Sequence, residues 1–180
     1  MTNLFIIRAL SFVLFLMIFI SVLRAIPVTI SELRYLTNND KFGKILFYVW
    51  AIVVSIPLMI SWLDSTAGQT YQFLVFLSCV SFIFVGAASS FKDGGITEKV
   101  HYVAAGMAGI SSFIWAIIYS PVWWIYVLLI PLFGVIGANV QGIRKKNGIY
   151  VTTTNTKVFF LELGLFLSAF SVIGSHIFNL

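Results

Sequence analysis

Charged residues are scarce in this chain. Lysine, arginine, aspartate and glutamate together make up 9% of its 180 residues, whereas 60% of the residues are hydrophobic. A water-soluble domain of this length with so few charges would expose a large contiguous apolar surface, which soluble proteins avoid. The composition therefore excludes a soluble domain and predicts a membrane protein that forms one compact bundle.

Cysteine and histidine are also scarce, and the familiar catalytic motifs are absent. The single cysteine, Cys79, excludes an internal disulfide and a cysteine-based zinc site. The two histidines, His101 and His176, belong to opposite depths of the predicted bundle, so they cannot ligate one haem or one metal ion. The sequence has no glycine-rich phosphate loop, no HExxH pattern and no nucleophile elbow. We therefore predict no cofactor and no metal site.

Six stretches are long and apolar enough to span a bilayer, which takes about 20 residues per helix. They cover approximately residues 4–23, 45–63, 71–90, 100–119, 122–140 and 158–178. After the first span, the run Thr29-Ile30-Ser31-Glu32 fits a helix-capping box and predicts a short interfacial helix from Ile30 to about Thr37. The predicted fold class is all-α: a polytopic membrane helical bundle with six transmembrane helices in a single domain, residues 1–180.

Basic residues lie almost entirely in three of the links between the predicted spans. The links after the first, third and fifth spans contain Arg24, Arg34, Lys41, Lys44, Lys92, Lys99, Arg144, Lys145, Lys146 and Lys157. The other face has only Arg8. Because basic residues in short loops favour the cytoplasm, we expect these links in the cytoplasm and both termini outside. The net charge of +5 then reflects membrane orientation, and no nucleic-acid partner is predicted.

Aromatic residues cluster at the opposite face. Trp and Tyr side chains favour the membrane–water interface. We therefore predict an outer aromatic belt formed by Trp62, Tyr71, Tyr119, Trp123 and Trp124.

Small residues line the third and fourth predicted spans on both sides of the tight turn that joins them. In lipid, small residues let two helix backbones approach closely, and dispersion then holds the helices together. We predict that these two spans make the closest helix contact of the bundle, through Gly86, Ser90, Ala105 and Gly109.

Glu162 is the only acidic residue predicted to lie within a span, roughly one helical turn below the basic face. At the same depth His101 begins the fourth span, and Asp93 and Glu32 lie in neighbouring links. We predict that His101, Glu162 and either Asp93 or the cap at Glu32 converge on one polar site. The alternatives are a carboxylate that reaches the interface or caps a helix, and a histidine that bonds a loop carbonyl.

Four short pieces of the sequence carry a family resemblance. They are Ile26-Pro27-Val28-Thr29-Ile30-Ser31 with Tyr35, Phe84-Val85-Gly86-Ala87-Ala88 with Phe91, Glu98-Lys99-Val100-His101-Tyr102 with Ala104 and Ala105, and Leu161-Glu162. Together they resemble a group of uncharacterised six-span membrane proteins of Bacteroides-type bacteria. The first and third pieces are more distantly similar to the DRAM-type (damage-regulated autophagy modulator) membrane proteins. The resemblance implies six spans and a bacterial inner membrane, and it brings no catalytic residues.

Three functions are compatible with these features. The first is binding of membrane lipids or of partner proteins, including a second copy of the chain, through the helices. The second is a small-solute transporter or channel, favoured by the helix-breaking Pro57, Pro131, Gly134 and Gly137 together with Glu162. The third is a membrane-embedded enzyme with a polar site at the cytoplasmic face. We expect a solid, dry bundle for the first function, a water-filled cavity that crosses the bilayer for the second and a closed pocket around His101 for the third.

Overall fold

Five α-helices make up most of the chain that the structure describes. The computed structural model describes residues 12, 15, 26–36, 40–88, 90, 92, 94–146, 149–153 and 156–178. Its helices are α1 (Asp40–Ser65), α2 (Phe73–Ala87), α3 (Gly95–Tyr119), α4 (Trp124–Ala138) and α5 (Lys157–Phe178), and a 3-10 helix (Ile30–Leu36) precedes them. These five helices correspond to the second to sixth predicted spans, and each boundary agrees to within five residues.

The first predicted span lies outside the described residues, apart from two positions. Phe12 and Phe15 are helical, and Phe12 is fully buried. The ring of Phe12 packs against Trp50 of α1 and Phe170 of α5, with centroid distances of 5.6 Å and 5.4 Å. The 3-10 helix occupies the position predicted for the short interfacial helix, so that prediction is confirmed at the level of secondary structure.

Three of the described helices are long and apolar enough to cross a membrane: Lys41–Ser65 within α1, all of α3 and all of α5. The helices α2 and α4 are apolar but have 15 residues each. At 1.5 Å per residue they are about 22 Å long, less than the roughly 30 Å hydrocarbon core of a bilayer. Helix length therefore supports a helical membrane protein with three clear spans, and the count of six stays a prediction.

The outer faces of the helices are apolar. On α1 a stripe at helical spacing is exposed, formed by Ile45, Val49, Val53, Ile56 and Ile60. The helix α4 exposes Leu128, Leu132 and Val135 in the same way. Water would disfavour such contiguous apolar faces, whereas lipid tails would not. This distribution is typical of a bundle surrounded by lipid.

The three basic links meet at one end of the bundle, which we call the basic end. There the N–H of Ile143 donates to the carbonyl of Ile26 and the N–H of Phe159 donates to the carbonyl of Val28, both at 2.8 Å. At the opposite end the N–H of Tyr71 donates to the Tyr119 hydroxyl at 3.1 Å. The links are therefore sorted to the two ends as the alternation of charge predicted.

A small β-hairpin joins α4 and α5 in a fold that is otherwise helical, as the all-α prediction states. Strands β1 (Gly142–Lys146) and β2 (Ile149–Thr153) pair antiparallel, with Gly142 opposite Thr153 and Lys146 opposite Ile149. A β-carbon on Gly142 would overlap the carbonyl oxygen of Ile26, so the absent side chain lets the two backbones meet. The Asn-Gly pair followed by the β-branched residues of β2 is a hairpin signal in the sequence. It was not used, because this link was interpreted only through its charges.

The predicted packing seam between the third and fourth spans is wrong for its two glycines. A β-carbon on Gly86 would lie 2.5 Å from the β-carbon of Ala51, so Gly86 faces α1. A β-carbon on Gly109 would lie 2.9 Å from a methyl of Leu165, so Gly109 faces α5. Of the other two residues, Ser90 lies beyond the end of α2 and Ala105 lines an internal cavity.

The most extensively packed helix pair is α4 and α5. A β-carbon on Gly137 would lie 2.9 Å from the α-carbon of Lys157, and one on Gly164 would lie 3.2 Å from the carbonyl oxygen of Leu129. Both contacts are with backbone, which cannot swing aside. Thr156 strengthens this pair because its hydroxyl lies 2.8 Å from the carbonyl oxygen of Gly137.

The predicted aromatic belt is wrong for Trp62. Its side chain is 1% exposed and packs edge to face on Trp115, with ring centroids 4.9 Å apart. Trp123 and Trp124 are about half exposed at the end opposite the basic end, as a belt requires. Trp62 instead belongs to the interior, because α1 turns this face toward α3.

Gly137→Ala should destabilise the bundle, whereas Gly106→Ala should stabilise it. The new methyl at Gly137 meets backbone, and overpacking of this kind costs about 1–3 kcal/mol. Gly106 is exposed in mid-helix with no atom within 4 Å of an added β-carbon, so alanine there gains roughly 0.5–1 kcal/mol of helix propensity. Thermal unfolding in one detergent should move the two melting temperatures in opposite directions. Equal shifts would contradict the α4–α5 contact.

Candidate functional site

The 3-10 helix is set by its first residues. The N–H of Glu32 lies 3.1 Å from both the hydroxyl and the carbonyl oxygen of Thr29, which is the threonine half of the predicted capping box. Val28 and Leu33, at the positions expected for a hydrophobic staple, are both buried. These local contacts turn Ile30 and Leu33 into the bundle and hold the segment across the basic end.

Glu162 ties this segment to the last helix. Its Oε2 accepts a hydrogen bond of 2.6 Å from the backbone N–H of Ile30, which is 132 residues away along the chain. A hydrogen bond of this kind contributes about 0.5–1.5 kcal/mol net, and more when the carboxyl group is ionised. Glu162 caps the start of the 3-10 helix, which is the predicted alternative of a carboxylate that caps a helix.

Glu32 and Lys92 connect the 3-10 helix to the link between α2 and α3. The Lys92 ammonium lies 2.6 Å from Oε1 of Glu32, and Glu32 is 3% exposed. The backbone N–H of Lys92 donates to the Tyr35 hydroxyl at 3.0 Å. The buried guanidinium of Arg34 stacks on the Tyr35 ring, 3.8 Å from its centroid. The basic end thus carries a compact set of two carboxylates and two cations.

His101 makes a different contact. Its imidazole is buried, and Nδ1 lies 3.2 Å from the carbonyl oxygen of Val85 at the end of α2. Because a carbonyl can only accept, this bond requires the proton on Nδ1. The histidine therefore joins α3 to α2, which is the alternative of a histidine bonded to a carbonyl.

The structure brings together some of the predicted site residues. Glu32 is a residue of the 3-10 helix, and Glu162 accepts a hydrogen bond from the backbone N–H of Ile30 at the start of the same helix. The Glu162 carboxylate bonds Ile30 and the His101 ring bonds Val85, so the two side chains have separate partners. Asp93 lies outside the described residues.

A cavity of about 110 Å³ lies among α1, α2, α3 and α5. Glu162 and Ser31 line it near the basic end, and Trp62 and Ile173 line it toward the other end. Its walls are otherwise formed mainly by apolar side chains, among them Phe82, Leu165 and Phe170. This volume is smaller than the roughly 150 Å³ of a dry apolar cavity that holds benzene in another protein, so it limits the ligand to a short chain segment.

Small residues create this cavity. Ala105, Ala108 and Gly109 on α3 face it, and a larger side chain at any of these positions would reduce it. Two serine hydroxyls on its wall are satisfied internally, since Ser78 donates to the carbonyl of Ala108 and Ser112 donates to that of Gly109, both at 2.8 Å. The small residues that the sequence assigned to a helix seam therefore leave space instead.

Two other polar groups on the cavity wall were not predicted. The hydroxyl of Ser55 and the indole N–H of Trp62 are buried and have no hydrogen-bond partner within the described part of the chain. The sequence analysis did not identify these two groups, because Ser55 was noted only as a neighbour of Pro57 and Trp62 was assigned to the aromatic belt. Their spacing of seven residues, which places both on one face of α1, was the available signal.

Among the residues that the structure describes, no three histidine, cysteine, aspartate or glutamate side chains are grouped as metal ligands. Neither a protein-family model, nor a curated protein, nor a solved structure matches this chain.

Glu162→Ala should loosen the 3-10 helix locally. Loss of this hydrogen bond should make the Ile30 amide exchange with deuterium at least about 3-fold faster, because opening of the segment then costs less free energy. Glu162→Gln keeps an oxygen acceptor and should largely preserve the protection. Glu98→Ala, which removes a carboxylate elsewhere at the basic end, is the control. Unchanged exchange in Glu162→Ala would show that the segment is held without this bond.

Proposed function

We propose that this chain is a six-span integral membrane protein that binds an apolar molecule from the bilayer in the cavity among α1, α2, α3 and α5. The observation that carries the proposal is the cavity itself: a space in the bundle interior whose wall is almost wholly apolar. Pockets with apolar walls and a few placed polar groups are typical ligand sites. The proposal is a specific form of the lipid-binding hypothesis. The partner is a lipid-class molecule, and it is held in a cavity instead of on a solid bundle.

The wall of the cavity favours binding over transport of a polar solute. Glu162 is the one charged residue on it among the described residues, and it lies near the basic end. A hydrated ion or a sugar would meet only apolar side chains and a few serines along the rest of the wall, with no groups to replace its water. The described part of the chain offers no such continuous polar path.

The same wall argues against catalysis at His101. The imidazole does not line the cavity and bonds a backbone carbonyl, so it lacks access to a molecule held there. A general acid or base must lie within hydrogen-bond reach of the group it serves. We therefore give His101 a packing role in this proposal.

The proposed orientation places the basic end in the cytoplasm of a bacterial cell and both termini outside. It is supported by the asymmetry of basic residues and by the gathering of the three basic links at one end of the bundle. Kinship with the six-span family that the sequence resembles belongs to the same proposal.

Reporter fusions test this orientation. A fusion after Gly68 should report the outside and a fusion after Asn147 the cytoplasm, because the two links lie at opposite ends of the bundle and only the second is basic. An alkaline phosphatase and a fluorescent protein reporter at each site control for expression. Reversed signals at both sites would overturn the orientation and leave the fold untouched.

Ala105→Leu should displace the bound molecule. The added side chain enters the cavity, whereas Ala87→Leu adds the same atoms on the exposed face of α2. Native mass spectrometry in a delipidating detergent should find one retained apolar molecule on the wild type and on Ala87→Leu. It should find less on Ala105→Leu. Equal retention by all three proteins, with unchanged melting temperatures, would contradict binding in the cavity.

A further inference from the structure

Two buried hydrogen-bond donors point to the chemistry of the molecule that the cavity takes. Ser55 and Trp62 are each 1% exposed, and both side chains line the cavity. Neither the Ser55 hydroxyl nor the Trp62 indole N–H has a partner among the residues that the structure describes. Buried donors of this kind are rare, and each calls for an explanation.

The position of the two residues makes the missing partners costly. Ser55 lies 15 residues after Asp40, the first residue of α1, which places it about 22 Å along the helix and deep within any bilayer that α1 spans. Water is scarce at that depth, so an acceptor must come from the protein or from a bound molecule. Trp62 follows two helical turns later on the same face of α1.

Internal partners do not account for these donors. The neighbouring serines of the cavity, Ser78 and Ser112, bond backbone carbonyls, so the backbone supplies acceptors elsewhere on the wall but not at Ser55. Trp62 meets the Trp115 ring edge to face, and an aromatic face is a weaker acceptor than an oxygen atom. The bundle thus leaves two donors for something held in the cavity.

We propose that the cavity takes a neutral apolar molecule with carbonyl-type oxygen acceptors, which accept hydrogen bonds from the Ser55 hydroxyl and the Trp62 indole. This inference rests on the proposed function and adds the chemical class of the ligand. The oxygens are acceptors because both protein groups can donate a hydrogen bond. The molecule is neutral because this stretch of the wall, on the described residues, has no charge to balance one. The rest of the molecule is hydrocarbon, as the wall requires.

Two probes of equal size separate the oxygen from the hydrocarbon. Methyl propanoate carries an ester carbonyl and suits a cavity of about 110 Å³, and hexane has the same number of heavy atoms without the carbonyl. Each probe is titrated into delipidated full-length protein in one detergent, and its affinity is taken from the rise in melting temperature. The ratio of ester affinity to alkane affinity is compared between proteins, so that partition into micelles cancels.

Ser55→Ala and Trp62→Phe should each lower this ratio about 3- to 10-fold, the loss of one net hydrogen bond. Two matched controls should leave it unchanged. Ser168→Ala removes a buried hydroxyl that is bonded to the carbonyl of Gly164, and Trp50→Phe removes a buried indole N–H without a partner among the described residues; neither residue lines the cavity. Ser55→Ala removes a single oxygen atom, so it tests the inference even if Trp62→Phe fails to accumulate.

The outcomes are distinct. A ratio that falls only in Ser55→Ala or Trp62→Phe supports the carbonyl site. A ratio unchanged in both, while both probes bind the wild type and Ala105→Leu weakens them, overturns the inference; cavity binding then stands. If neither probe binds the wild type, the proposed function falls together with the inference.

Discussion

The basic end depends on the satisfaction of backbone polar groups in one short segment. Residues 26–30 are not part of an α-helix, so the segment cannot pair its own N–H and C=O groups in the way a spanning helix does. Partners come from three places: the N–H of Ile143 reaches Ile26, the N–H of Phe159 reaches Val28, and the carboxylate of Glu162 reaches Ile30. The contacts fall on alternate residues, as in an extended strand. The segment thereby joins the hairpin, α5 and the 3-10 helix into one unit.

An ion pair explains why the same end tolerates a buried carboxylate. Glu32 of the 3-10 helix is 3% exposed and lies 2.6 Å from the Lys92 ammonium, and Arg34 is buried beside it on the same helix. A buried ion is tolerable when its partners satisfy it and costly when one partner is removed. The short ion pair between Lys92 and Glu32 and the stacking of Arg34 on Tyr35 supply such partners. The cluster is therefore a structural joint between two links that are far apart in sequence.

The sequence predicted the helices and their ends well because hydropathy in a membrane chain is a local signal. It also predicted that the three basic links share one end, and the cap at Thr29 was visible in a four-residue pattern. The sequence did not predict which residues the individual side chains contact. Glu162 was equally compatible with lipid headgroups, His101 or a backbone amide, since its partner lies 132 residues away. Gly86 and Gly109 are small enough for a close helix contact, but the rotation of their helices places them against α1 and α5.

The same limitation hid the cavity. A small residue on a helix indicates either close packing or space, and composition alone does not separate the two. Gly137 and Gly164 lie against the backbone of the neighbouring helix, whereas Ala105 and Ala108 border an opening. Only the relative placement of four helices decides between these results. That placement depends on long-range contacts such as those of Phe12 with Trp50 and Phe170.

The energetics of α1 give the strongest reason to regard this opening as a site. A bundle selected for stability alone would place alanine or valine where Ser55 lies, since a buried hydroxyl without a partner costs about 1–3 kcal/mol. It would also fill the space, because an empty cavity forfeits the dispersion contacts of its lining. Here an unfilled volume and two unsatisfied donors occur on one wall. Each is unfavourable for the isolated chain, and a bound molecule with an apolar body and acceptor oxygens would reduce both penalties.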